Sequence, residues 1–128
     1  MRFGFVSSPS ANQLEAAEGY LTPTLRMFGY TWGECLDLIA SGHAQLWMSD
    51  EAALVSRRDG YTLEIWACGG RVVNASDQFL AVIERAAREA GMTQMRLSGR
   101  KGWARHLAKW GWVQQGEDVI KELKHGKI

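Results

Sequence analysis

Apolar positions in the first third of the chain recur at helical spacing. Between residues 12 and 20 they stand three or four positions apart, with Asn12 as a candidate N-cap. Pro23 interrupts this pattern, so we expect two helical pieces or an irregular joint near residues 20–24. A second helix is predicted over residues 31–41, because its apolar side chains share one face.

The pattern changes from helical to alternating in the middle of the chain. Residues 45–49, 52–57 and 61–68 predict three strands, and Asp59-Gly60 is a strong hairpin signal between the second and the third. The three strands are expected to form an antiparallel meander. Alternation divides the side chains of the third strand between two faces, with Tyr61, Leu63, Ile65 and Ala67 on one and Thr62, Glu64, Trp66 and Cys68 on the other.

A long amphipathic helix is predicted in the second half of the chain. It begins after a cap on Asn74 or Ser76 and runs to Ala90. A short strand follows over residues 93–98, then a shorter helix around Leu107 and one or two final strands. The predicted fold class is therefore α+β: a mixed sheet with N-terminal helices, a three-strand antiparallel meander, then helix-strand-helix-strand, with helices on both faces.

Length and composition restrict the class of protein further. The chain has 128 residues, enough for one domain and too few for two, so residues 1–128 are predicted to form a single domain. With 46% hydrophobic and 23% charged residues, a disordered or coiled-coil chain is excluded, and a net charge of +1 argues against a dedicated nucleic-acid binder. No apolar run approaches the ~20 residues of a membrane span, and the N-terminus has no stretch of signal-peptide length. We therefore expect a cytoplasmic protein with Cys35 and Cys68 as free thiols.

Residues 99–112 carry the most informative short pattern. The segment 99–107, GRKGWARHL, runs into Trp110-Gly111-Trp112. It resembles the fourth helix and helix exit of the GNAT (Gcn5-related N-acetyltransferase) superfamily, whose members often show an Asn, an Ala three residues on, a Tyr seven residues on and a closing Gly-aromatic pair. When Gly111-Trp112 is aligned with that pair, the places of the Asn, Ala and Tyr are taken by Arg100, Trp103 and Leu107. The order of elements over residues 31–123 agrees with the same fold.

The resemblance implies acetyl-CoA as a cofactor. The family holds the pyrophosphate of that cofactor on backbone N–H groups where the fourth strand enters the third helix. The cofactor-binding candidates at that place are Gly69, Gly70, Arg71, Asn74 and Ser76. The glycines and Arg71 do not have the family's spacing, and Asp77 would bring a negative charge to the helix entrance. An ordinary glycine turn into a capped helix is the competing interpretation.

Acetyl transfer in the family requires a base for the substrate amine and an acid for the departing thiolate. The resemblance makes Glu64 the candidate catalytic base, because it lies on the strand where the family often keeps that group. A solvated or ion-paired strand glutamate is the competing interpretation. Leu107 takes the place of the family's Tyr and cannot donate a proton, so Tyr61 or Cys68 would have to substitute in a different geometry.

A basic strip precedes and follows the start of the last helix. It comprises Arg100, Lys101, Arg105 and Lys109. Such a strip is typical of a solvated helix face, and the alternative is contact with phosphates of a cofactor or a nucleic acid. No metal is predicted, because no metal-ligand spacing joins the cysteines to His43, His106 and His125.

Aromatic residues are concentrated near the N-terminus. They are Phe3, Phe5, Tyr20, Phe28, Tyr30 and Trp32. If several are exposed, a protein partner or a homo-oligomer is expected, because aromatic side chains are enriched at interfaces. The competing interpretation is that the N-terminus packs back over the sheet.

Three hypotheses for function follow. The first is a GNAT-fold protein with degenerate acyl-CoA and catalytic motifs that serves in virion assembly, since residues 99–112 also resemble small GNAT-like proteins of tailed bacteriophages. Such a protein would lie in the host cytoplasm or the virion. The second is an active N-acetyltransferase that transfers acetyl from acetyl-CoA to an amine. A nucleic-acid contact module working through the basic strip is a third, weaker hypothesis.

Overall fold

The structure is a computed structural model that describes residues 3–98 and 102–123, and it describes the backbone alone at residues 72–78, 98 and 102–104. Its helices are α1 (Ala11–Met27), α2 (Trp32–Ala40), α3 (Val72–Glu89) and α4 (Gly102–Leu107), the last followed by a 3-10 turn, Ala108–Trp110. Its strands are β1 (Gly4–Phe5), β2 (Ala44–Met48), β3 (Ala52–Asp59), β4 (Thr62–Gly70), β5 (Gln94–Ser98), β6 (Val113–Gln115) and β7 (Asp118–Glu122).

The strands form one seven-stranded sheet in the order β1-β2-β3-β4-β5-β7-β6. Every neighbouring pair is antiparallel except β4 and β5, which are parallel and are joined through α3. Side chains of α1 and α2 pack on one face of the sheet and side chains of α3 on the other. The two larger hydrophobic clusters are the α1/α2 cluster, which includes Leu21, Leu25 and Leu46, and the α3 cluster, which includes Ile65, Ile83 and Met95. The α+β class, the meander and the helix-strand-helix-strand order are confirmed.

The expected break in the first helix is wrong. α1 is continuous through Pro23 and is capped by Ser10 rather than Asn12, in a capping box with Gln13. Burial of one helix face holds the segment together around the proline, and the Thr22 hydroxyl donates to the Glu18 carbonyl at 2.6 Å. Tertiary packing therefore outweighs the local cost of Pro23.

The strict alternation expected along β4 is also wrong beyond Ile65. Val55 of β3 pairs with Ala67 and the next residue, Ser56, pairs with Ile65, so Trp66 is the extra residue of a β-bulge. The bulge moves Ala67 to the α1/α2 cluster and Cys68 to the α3 cluster, the reverse of their expected faces. Because of the bulge, the two ends of β4 present their alternate side chains to opposite sides of the sheet.

The cap predicted for the long helix is wrong as well. α3 begins at Val72, so Asn74 and Ser76 fall within its first turns, and Arg71 at the N-cap makes no side-chain cap bond. Gly70, with φ +87°, turns the chain directly from β4 into the helix, and the Arg71 N–H donates to the Glu51 carbonyl at 3.0 Å. A glycine turn thus replaces the polar cap that the sequence suggested.

The cysteines are free thiols, as expected. Cys35 is buried in the α1/α2 cluster, and this burial raises the pKa of its thiol to about 11. Cys68 is half-buried on the other side of the sheet. Among the described residues no helix has the length and apolarity needed to cross a membrane.

The N-terminal aromatics divide between packing and exposure. Phe3 stacks on Phe79 with ring centroids 4.1 Å apart, so the N-terminus does pack over the sheet at this point. Phe5, Phe28 and Tyr30 stay exposed. A protein partner or homo-oligomer for these exposed rings remains a prediction.

A buried hydroxyl organises the α3 side of the sheet and gives a test of the packing. Ser56 is fully buried, accepts from the Trp47 indole N–H at 2.9 Å and donates to the Gln45 side chain at 2.9 Å. We expect Ser56→Ala to lower the free energy of unfolding by about 1.5 kcal/mol, because the indole donor loses its partner. Denaturant unfolding measures this loss. In a Trp47→Phe background Ser56→Ala should lower the free energy of unfolding by much less. An equal loss there would contradict the hydrogen bond between Trp47 and Ser56.

Candidate functional site

An opening in the sheet separates the second half of β4 from β5. The parallel pairing runs from Thr62 opposite Gln94 to Ile65 opposite Leu97 and then ends. Ser98 would face Trp66 if the register continued, but it pairs only with Asp118 of β7 among the described residues. The bulge at Trp66 coincides with this separation, so β4 leaves β5 where its own register changes.

The start of α3 lies at the end of β4 beside this opening. The first N–H groups of a helix have no partners within the helix and carry the positive end of its dipole. α3 begins without a side-chain cap, so these groups are not satisfied by a residue at the N-cap. The N–H of Arg71 itself is already bonded to Glu51. The arrangement can hold an anion through the remaining first N–H groups of the helix, those of residues 72–74, whereas the N–H of Ser76 donates within the helix.

Close contacts with neighbouring backbone explain why the candidate cofactor-binding residues 69 and 70 are both glycines. A Cβ on Gly69 would lie 1.8 Å from the carbonyl oxygen of Tyr20 in α1, and one on Gly70 would lie 2.3 Å from the Glu51 carbonyl oxygen. Both glycines are therefore required by the close approach of neighbouring backbone. Their presence alone gives no information about a phosphate.

Glu64 sits in a cluster of charges on the sheet. It pairs with Arg57 of β3 on one side and with Arg96 of β5 on the other. Arg57 Nη2 donates to Glu64 Oε1 at 2.8 Å and Arg96 Nη2 donates to Glu64 Oε2 at 3.0 Å, while Arg96 also bonds Asp59 at 3.1 Å. The Glu64 side chain is only 13% exposed.

The electrostatics of the cluster favour fixed charges. Burial lowers the pKa of Arg96, but its hydrogen bonds to Asp59 and Glu64 raise it by more, so the net pKa lies above its ordinary value. Arg57 also stacks over the Trp66 ring at 4.7 Å, and Tyr30 meets the same ring edge-on at 4.9 Å. Both oxygens of the Glu64 carboxylate are thereby occupied by guanidinium groups that are themselves held in place.

The remaining candidates lie apart from one another. Leu107 is fully buried in the α3 cluster. Tyr61 is 72% exposed at the hairpin turn that precedes β4, at the opposite end of that strand from the opening. Cys68 lies beside the opening on the α3 side of the sheet. The structure therefore brings Glu64 together with two arginines that were not singled out in the sequence. Of the two candidate acids, Tyr61 lies away from the opening and Cys68 lies beside it.

Part of the basic strip falls outside the described residues, namely Arg100 and Lys101. Arg105 is exposed, and the Lys109 ammonium stacks over the Trp110 ring at 4.4 Å. Across residues 3–98 and 102–123, no group of three or more His, Cys, Asp and Glu residues is arranged to hold a metal ion.

Comparison with known proteins identifies the class of this fold. No protein-family model matches the chain, and no curated protein matches it in sequence. Solved structures do match over nearly the whole length. Tetrahymena GCN5 superposes with a TM-score of 0.72 at 7% identity, covering 97% of both chains. The aminoglycoside 6'-N-acetyltransferase from Enterococcus faecium gives 0.74 at 9% identity, covering 100% of both.

A third similar structure was solved with coenzyme A bound. The PaiA N-acetyltransferase from Thermoplasma acidophilum, solved in complex with coenzyme A, superposes with a TM-score of 0.67 at 14% identity, covering 98% of this chain and 100% of that one. At these identities the likeness concerns the fold alone. The chain has the fold of the GNAT acetyltransferases, as residues 99–112 and the order of elements suggested.

Proposed function

We propose that this chain is a GNAT-fold protein whose acyl-CoA and catalytic motifs are degenerate and which does not catalyse acetyl transfer. The state of Glu64 carries the proposal. Its two carboxylate oxygens accept from Arg57 and Arg96 at 2.8 and 3.0 Å. A general base needs an accessible lone pair within reach of the amine proton. Here each carboxylate oxygen already accepts from a guanidinium donor, and the two cations repel an approaching ammonium group.

The acid side of the reaction supports the same conclusion. A departing thiolate needs a proton donor near the sulfur. Leu107, at the position that the alignment gives to the family's Tyr, is a buried core residue with no proton to donate. Tyr61 lies at the far end of β4 from the opening. Of the two candidate acids, Cys68 lies beside the opening, so the acid side supports the proposal through Leu107 and Tyr61 alone.

A structural or assembly role is the positive part of this proposal. It rests on the likeness of residues 99–112 to GNAT-like proteins of tailed phages, and it would place the chain in the virion or the host cytoplasm. The exposed side chains Met27, Phe28 and Tyr30, which follow one another at the end of α1, suit contact with a protein partner or a second copy.

Active N-acetyl transfer is the second candidate, and the opening between β4 and β5 favours it. Backbone N–H groups in the first turn of α3, at residues 72–74, would hold the pyrophosphate of acetyl-CoA. The coenzyme would supply the acyl thioester. Glu64 would then have to release at least one arginine before it could accept a proton from the acceptor amine.

A thiol-release assay with acetyl-CoA separates the two candidates. With spermidine, a lysine peptide and an aminoglycoside as acceptors, we expect wild type to release no thiol above the buffer rate, and Glu64→Gln to give the same result. Turnover by wild type would overturn the proposal. A loss of a hundredfold or more in Glu64→Gln would then identify Glu64 as the base, because general bases contribute about 10²–10⁴-fold.

A further inference from the structure

A groove lies at the β1–β2 edge of the sheet, between the N-terminal strand and α2, and residues from both faces of the sheet line it. Its volume is about 600 Å³, within the range of pockets that hold small organic ligands. Apolar side chains form most of its lining, among them Phe5, Val6, Leu14, Leu36, Ile39 and Leu46. An apolar chain placed there would be removed from water on several sides.

One cation, Arg58, lines this groove, and it is the only charged residue among the described residues of the lining. The side chain of Arg58 is exposed and has no hydrogen-bond or ion-pair partner in the part of the chain that the structure describes. Surface arginines are common, but this one lines a groove whose other lining side chains are mainly apolar. Its guanidinium can bind a carboxylate with two parallel hydrogen bonds.

The neighbouring cavity shows that the positive charge of Arg58 is not neutralised locally. This cavity, of about 340 Å³, is also lined by Arg58 and contains the Glu64 cluster. Its lining has three arginines and two carboxylates: Arg57, Arg58, Arg96, Asp59 and Glu64. Because Arg57 and Arg96 are bonded to the two carboxylates, the excess positive charge is that of Arg58. His43 also lines this cavity, and its Nδ1 forms a hydrogen bond with the Ser41 hydroxyl.

We propose that the groove binds a small amphipathic carboxylate, with its apolar chain between β2 and α2 and its carboxylate on Arg58. The combination of a mostly apolar lining with one unpaired cation matches a ligand that has an apolar body and a single negative end. The groove lies at the β1–β2 edge of the sheet, and β3 separates β2 from β4 and its opening. The proposal is therefore independent of whether the chain binds acetyl-CoA.

Calorimetry and methyl NMR with octanoate, hexanoate, acetate and 1-octanol test this site. We expect octanoate to bind with shifts at the methyl groups of Ile39 and Leu46, and affinity to fall about fourfold for each methylene removed. Acetate should not bind measurably, and 1-octanol should bind about tenfold more weakly than octanoate because it lacks the charge.

Arg58→Gln should weaken octanoate about tenfold and leave 1-octanol unchanged, which also reports that the groove is intact. Arg26→Gln is the matched control, because Arg26 is an exposed arginine in the last turn of α1 that does not line the groove, and it should change neither affinity. Equal octanoate affinity in Arg58→Gln and wild type would overturn the proposal, as would the absence of octanoate binding at millimolar concentration. Acetate binding as strongly as octanoate would also overturn it, by assigning recognition to the charged cavity alone.

Discussion

Gly69→Ala is expected to lower the free energy of unfolding by about 3 kcal/mol or to prevent folding. The new Cβ would lie 1.8 Å from the Tyr20 carbonyl oxygen and 2.6 Å from its carbonyl carbon. Both atoms belong to the backbone of α1, which cannot move away without displacing the buried residues Leu21 and Leu25. Overpacking of this kind costs about 1–3 kcal/mol even where side chains can adjust, and here the obstacle is main chain.

Gly19→Ala is the matched control, because Gly19 adjoins Tyr20 in the same helix and a Cβ there meets nothing within 4 Å. We expect this substitution to stabilise the protein by up to about 1 kcal/mol, since alanine is the better helix former. Chemical denaturation of both variants, followed by circular dichroism, makes the comparison. If Gly69→Ala were as stable as wild type, the close contact between α1 and β4 would be wrong.

Glu64→Ala is expected to lower the free energy of unfolding by about 2 kcal/mol. The substitution leaves Arg57 and Arg96 without the carboxylate that they share, and the Glu64 side chain is 13% exposed. Removing one partner of a fully buried ion pair costs about 3–5 kcal/mol, and partial exposure of these arginines reduces that figure. Thermal or urea unfolding near neutral pH measures the loss.

The exposed pair of Arg85 and Glu89 provides the comparison for this second prediction. Their charged groups are 3.5 Å apart, one helical turn along α3, with side chains 84% and 72% exposed. Glu89→Ala should change stability by less than about 0.5 kcal/mol, as surface pairs usually do. Replacing Glu64 and Arg96 together should cost less than the sum of the single substitutions. Equal small losses from Glu64→Ala and Glu89→Ala would show that the cluster is not a structural element.

The sequence predicted the sheet and helices well where one period dominates. α3, β5 and the hairpin around Gly60 each follow a single clear pattern, and all three are present. The break predicted at Pro23 is wrong because a proline acts only locally. Burial of Leu21 and Leu25 against the rest of the molecule keeps the helix continuous. The cap on α3 was missed for a similar reason, since Gly70 turns the chain without any polar side chain.

The candidate site could be predicted only in part. Antiparallel pairing around the hairpin places Arg57 opposite Glu64, so this ion pair could be predicted from the sequences of the two strands. Arg96 was not, because the crossover through α3 does not fix the register of parallel strands. The bulge at Trp66 is likewise invisible to a strict alternation. The sequence suggested that Gly69 belongs to a phosphate site. A glycine is required there because the backbone of Tyr20, far away along the chain, lies too close for a side chain.

Nuclear Overhauser contacts across β4 and β5 test most directly whether the sheet opens where a GNAT cofactor site would require it. The structure predicts backbone contacts between the strand residues Leu63 and Met95 and between Ile65 and Leu97, and none between Trp66 and Ser98. Contacts from Trp66 to Ser98 as strong as those from Ile65 to Leu97 would mean that β4 and β5 remain paired beyond Ile65. The opening described beside Gly69 would then not exist.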